Sequence, residues 1–101
     1  MGSKKKKLYK LPRMEGNTLL LKNPVTIDGS ETVSRIEFKP EMSAEAMNYM
    51  KADHTTMTYA EILLVTSKLC DQNPNFLMNW LSAIDKRCAV EYTIFLLLVA
   101  G

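Results

Sequence analysis

Cysteine, histidine and glycine are scarce in this 101-residue chain, with two, one and four copies respectively, and each scarcity removes a class of chemistry. Cys70 and Cys88 stand alone in apolar helical patterns, far from the spacing of a metal knuckle or redox pair, so both read as buried thiols in a reducing compartment. One histidine and two separated cysteines cannot by themselves fill a tetrahedral zinc site. His54 lies in the polar stretch Asp53-His54-Thr55-Thr56 with no nucleophile next to it, which leaves a Ser- or Cys-based triad without a base in place. The glycines never cluster ahead of a helix, so no phosphate cradle is encoded. The acidic residues fall at caps, turns and strand exteriors, where no pocket would raise one carboxyl pKa against another. Long hydrophobic runs are also missing. The most apolar stretch, residues 94–100, is far shorter than the ~20 residues that span a bilayer, and the segment after the first lysines is too polar for a secretory signal. No enzyme activity, metal, cofactor, small-molecule substrate or membrane is expected.

What the chain does contain is apolar surface and a lopsided charge. Hydrophobic residues make up 47% of it and charged residues 24%, a balance that supports a core and excludes a wholly disordered protein. Six of the thirteen basic residues (Lys4, Lys5, Lys6, Lys7, Lys10 and Arg13) precede the first acid, which leaves seven basic against eleven acidic side chains afterwards, a net of about −4. Residues 1–16 are expected to form a flexible basic arm, and 17–101 one domain. An arm of this kind can gain affinity for phosphates by counterion release, but no folded basic patch or aromatic series accompanies it.

Periodicity predicts an α+β fold: an N-terminal β-hairpin over about 17–39, then three to four α-helices. Thr18-Leu19-Leu20-Leu21 and Val25-Thr26-Ile27 read as extended, with Pro24 tolerated at an edge or bulge, and a turn follows at Asp28-Gly29. Ile36 and Phe38 alternate with Arg35, Glu37 and Lys39, while Val33 is out of step. Ser43 is expected to cap a helix running to about residue 52. Thr58-Tyr59-Ala60-Glu61 is a capping box, and Tyr59, Ile62, Leu63, Thr66, Leu69 and Cys70 form the buried stripe behind it. Asn73-Pro74 starts the next helix, with Phe76, Leu77, Trp80, Leu81 and Ile84 as its inner face. Asp85 is expected to cap a last helix that becomes apolar on every side, which calls for several neighbours or an interface. Seven methionines add adaptable apolar surface.

The segments Leu21-Lys22-Asn23-Pro24-Val25-Thr26-Ile27-Asp28-Gly29 and Ile36-Glu37-Phe38-Lys39-Pro40, with the later Leu81-Ser82-Ala83-Ile84-Asp85, resemble the tail assembly chaperones of Mu-like and other long-tailed bacteriophages, the tail protein E group. There a strand of the form L-x-x-P-V pairs with one of the form V-x-x-I-x-L/F-x-x-P, and Val33, Ile36 and Phe38 fit the second strand. The chain departs from that pattern at Ser43, Ala44 and Glu45, where many members carry an aspartate and a leucine. The resemblance covers about residues 17–101. It implies a protein that coats the tape measure protein in the host bacterial cytoplasm, recruits tail tube subunits, and is absent from the mature virion. Some members are made in two lengths by a frameshift. The C-terminal helical face, with Trp80, Leu81, Phe95, Leu98 and Val99, is then expected to bind the tape measure protein or to join neighbouring copies in a homo-oligomer. The other readings are a small nucleic-acid-associated regulator that uses the basic arm, and a structural component of the tail.

Overall fold

The computed structural model describes residues 13–27, 29 and 31–100, the side chains of Val99 and Ala100 excepted. The lysine run, and with it the expected arm over residues 1–12, lies outside the described residues. At residues 13–16 the arm is corrected to a strand. Met14–Glu15 forms β1, paired antiparallel with β2 (Thr18–Ile27), Met14 opposite Leu19 and Glu15 opposite Thr18. The reversal depends on Gly16, whose φ of +62° at the first central position of a two-residue turn suits glycine and suits the twist of the strands. A bond from the Leu20 amide to the Arg13 carbonyl, 2.8 Å, closes the ribbon.

β3 (Glu31–Glu37) pairs antiparallel with the other side of β2, giving a three-stranded sheet of order β1-β2-β3. The expected hairpin is therefore present, enlarged by one short strand. The pairing also explains why Val33 is out of step. Leu19 faces Ile36, yet Val25 faces Val33, so four residues of β2 (21–24) are set against the single Ser34 of β3. This bulge, placed where Pro24 has no N–H to give the ladder, turns Val33 towards the core side despite its odd spacing from Ile36.

The helices begin after Pro40. A 3₁₀ turn (Pro40–Met42) runs into α1 (Ser43–Met47), so Ser43 opens the helix without capping it, and the helix stops well short of residue 52. A second 3₁₀ turn (His54–Thr56) is capped by Asp53, whose side chain accepts from the Thr55 hydroxyl and amide; those bonds hold its pKa below the ordinary carboxylate value. α2 (Tyr59–Cys70) starts on the expected capping box, with the Thr58 amide donating to Glu61 Oε1 at 2.8 Å and the Glu61 amide to Thr58 Oγ1 at 3.2 Å. Glu61 also meets Lys51 Nζ at 2.9 Å, and these bonds together lower its pKa. Asp71 ends the helix with a φ of +53°, in the left-handed region that aspartate tolerates better than most residues. α3 (Pro74–Asn79) uses Asn73 as cap and Pro74 in its first turn, as the sequence predicts.

α4 (Ala83–Ile94) is capped by Ser82 and not by Asp85. It continues as a wide π-helical turn over Phe95–Ala100. With more residues per turn than an α-helix, this winding lets the adjacent Leu96 and Leu97 both face inward. Of the described side chains in this apolar run, Leu96 and Leu97 are core, Ile94 and Phe95 pack partly buried against it, and Leu98 is open to solvent.

The core joins the sheet face of Leu19, Leu21, Val25, Ile36 and Phe38 to the inner stripes of α2 and α4. In its centre the hydroxyls of Thr66 and Thr93, both fully buried, approach to 2.6 Å. Each also reaches its own helix, Thr66 to the Ile62 carbonyl at 3.0 Å and Thr93 to the Ala89 carbonyl at 2.8 Å. Two protons serve three contacts, so deleting one hydroxyl leaves the other with a complete bond to its own carbonyl. Thr66→Val and Thr93→Val are each expected to cost about 1 kcal/mol, and the pair together no more than about 1 kcal/mol. Urea denaturation of the four proteins measures this, and strictly additive losses would refute the shared-proton account.

Candidate protein-binding surface

The chemistry-bearing residues do not converge. Among the described residues, no group of three or more His, Cys, Asp or Glu side chains could hold a metal ion, and no helix is long and apolar enough to cross a membrane. An open cleft of about 450 Å³ lies at one end of the sheet, lined by Asn17, Thr18, Glu37, Phe38, Lys39, Pro40 and Glu41. Its floor is structural: the Phe38 amide donates to the Asn17 carbonyl at 2.8 Å, and Tyr92 donates its hydroxyl to Asn17 Oδ1 at 2.6 Å. Burial raises the Tyr92 pKa, consistent with a phenol that stays a donor. Glu37, Lys39 and Glu41 give the rim mixed charge without a nucleophile–base pair.

Both thiols are buried, as the sequence predicts. Cys70 donates to the Thr66 carbonyl at 3.0 Å, and burial pushes its pKa up to about 12. Its thiolate at pH 8 is then scarcer than that of an open thiol by about a thousandfold. Iodoacetamide is expected to leave the native chain unmodified over a time in which the urea-unfolded chain takes two labels by intact mass. Fast native labelling of Cys70 would contradict the packing.

Among the described residues the exposed large apolar side chains are Met47, Tyr49, Tyr59, Leu64, Trp80, Ile84 and Leu98, all in the helical half, while Met14, Leu20, Ile27 and Val33 of the sheet are half-buried. Lys68 Nζ sits 4.9 Å from the centre of the Tyr49 ring, so that part of the surface already carries a cation. Of the residues that the sequence assigns to a partner, Trp80 is 46% exposed and Leu98 42% exposed. Leu81, only 5% exposed, is corrected to the core. Phe95 is half-buried, its ring stacked on Tyr92 at 5.9 Å. The Val99 side chain lies outside the described residues.

The reassignment has a local cause. Trp80 is the C-cap of α3 and Ser82 the N-cap of α4, so the helical phase is broken between them. Leu81 takes the inner position, and Trp80 and Ile84, which a continuous stripe would have buried, turn outward. Tyr59 likewise leaves the predicted buried stripe, because the first residue of α2 overhangs the core. Met47, Tyr49 and Leu64 carried no distinguishing signal in the sequence, since half-apolar helix faces look alike until their neighbours are placed.

α4 is anchored by a residue that the sequence misassigned. Asp85 is fully buried on the same stripe as Cys88, Ala89, Tyr92 and Thr93. Its Oδ1 accepts from the Lys22 amide at 2.8 Å and its Oδ2 from the Asn23 amide at 3.0 Å, while the Ser82 hydroxyl donates to Oδ2 at 3.1 Å. The two amides belong to the β2 bulge, where pairing with β3 has lapsed. One side chain thus completes the sheet's irregularity and fixes the start of the helix whose outer face carries Ile84 and which leads into the π turn that carries Leu98. No known protein family, characterised protein or solved structure matches the chain.

Proposed function

We propose that this chain is a protein-binding domain of the tail assembly chaperone type, and not an enzyme. It shields the apolar stripes of a long helical tape measure protein in the host bacterial cytoplasm, brings tail tube subunits to it, and departs before the virion is complete. The observation that supports this reading is that, among the described residues, the open, large apolar side chains lie in the helical half, with Trp80 and Leu98 among them. Such a surface suits reversible cover of an aggregation-prone helix: each contact is weak, and many copies along one tape measure supply the avidity. Methionines near it, such as Met47, let one face fit several apolar sequences.

Coexpression with the tape measure protein tests this. The chain is expected to keep the tape measure protein soluble and to copurify with it, and Trp80→Ser with Leu98→Ser to abolish both while leaving the circular dichroism melt unchanged. These two residues are chosen because they are open, whereas changing Leu81 or Phe95 would disturb the core. Copurification that survives the double change, or the chain's presence in purified particles, would overturn the chaperone reading; the latter would point to a tail component.

A further inference from the structure

The outer stripe of α4 reads alike in both directions. Counted from Ala89, which is buried at the middle of the helix, Arg87 and Glu91 lie two residues to either side and Ile84 and Ile94 five, all within the unbroken α4. The Arg87 and Glu91 side chains are 70% and 42% exposed, Ile84 is open, and Ile94 is half-buried. Cys88, Ala89 and Val90 between them face the core.

We propose that a second copy of this chain covers the stripe, with α4 packed antiparallel on α4 about a two-fold axis at the level of Ala89. A two-fold interface requires that if one residue meets another, the reverse contact also forms. Equal spacing from a centre within one unbroken helix meets that requirement: Ile84 faces Ile94 of the second copy and Arg87 faces Glu91, each contact occurring twice. The charges are complementary in this arrangement, whereas a parallel two-fold pair would set Arg87 against Arg87. Within one chain Arg87 Nε already lies 3.3 Å from Glu91 Oε2, an exposed pair that can be exchanged for two between chains. The stripe is narrow, and residues 84–94 span only about 15 Å at 1.5 Å per residue. The contact therefore falls below the ~800 Å² per partner of a standard interface, and the dimer is weak and concentration-dependent.

This inference does not rest on the tail-assembly reading. Changes at Arg87 and Glu91 leave Trp80 and Leu98, the residues that reading uses, in place, so the two events are separable. The experiment is sedimentation equilibrium on the full chain across a concentration series. Arg87→Glu and Glu91→Arg are each expected to weaken self-association by about tenfold or more, since each places like charges opposite one another twice. An equimolar mixture of the two variants is expected to recover wild-type association, because each supplies the charge that the other now needs. Thermal melts by circular dichroism establish that both variants are folded. If the pair acts only within a chain, mixing changes nothing, and that result overturns the proposal. So does a wild-type chain that stays monomeric up to about 1 mM, where association would be worth less than about 4 kcal/mol.

Discussion

Asp85→Ala is expected to lower the unfolding free energy by about 4 kcal/mol, a large fraction of the 5–15 kcal/mol typical of a small domain. The size of the effect follows from what alanine leaves behind. The Lys22 and Asn23 amides lose their acceptors at 2.8 and 3.0 Å, and the Ser82 hydroxyl loses the oxygen it donates to. The bulge offers no strand partner to replace them. Asp85→Asn should fall between, at about 2 kcal/mol, because one carbonyl oxygen can serve one amide while the NH₂ group faces the other. Urea denaturation monitored by circular dichroism reads all three proteins. An alanine variant within about 1 kcal/mol of wild type would show that the anchor is dispensable. The effect also has a spatial signature: hydrogen exchange at Lys22 and Asn23 should accelerate more in the alanine variant than exchange in the middle of α2.

Phe38→Ala is the second large loss, expected at about 3–5 kcal/mol. Phe38 is almost completely buried at the point where the sheet passes its chain to the helices. Its ring packs edge-on against Tyr92, centroids 4.8 Å apart and planes at 81°. The backbone there is held twice, by the Phe38 amide on Asn17 and by the Lys39 amide on the Leu69 carbonyl, 2.8 Å each. Those bonds limit how far the walls can collapse, which places the cavity cost at the upper part of the range. Phe38→Leu, which fills most of the volume, should recover more than half of the loss. Thermal unfolding of the two variants checks the order, and equal destabilisation by Ala and Leu would mean that the site relaxes freely. Tyr92→Phe separates the ring from its hydroxyl, since it keeps the edge-on packing and removes only the bond to Asn17.

The legible part of this protein was local. The Thr58–Glu61 capping box, the Asn73-Pro74 helix start and the alternation of Ile36 with Phe38 each involve residues within one turn or one strand, so their physics is written in adjacent letters. Asp85 shows where that reading stops. An aspartate ahead of an apolar helix looks like an N-cap, but Ser82 does the capping, and Asp85, three residues on, spends its oxygens on a strand more than sixty residues away. The oxygen acceptor was visible in the sequence; the donors that needed it were not, because they arise only where the β2–β3 register slips.

The candidate surface divides in the same way. That the helical half carries more apolar residues than one stripe can bury is a property of composition and period, and the sequence by itself determined it, together with the α+β order and the absence of a clustered metal or nucleophile motif. Which of those residues face solvent was decided by tertiary structure alone. A cap at Trp80 broke the phase of α3, turned Leu81 inward and Trp80 outward, and a π turn drew Leu96 and Leu97 into the core while leaving Leu98 open. Helical phase accumulates at about 100° per residue, so a single break or widened turn redirects every side chain beyond it. Breaks of that kind are set by what the chain packs against.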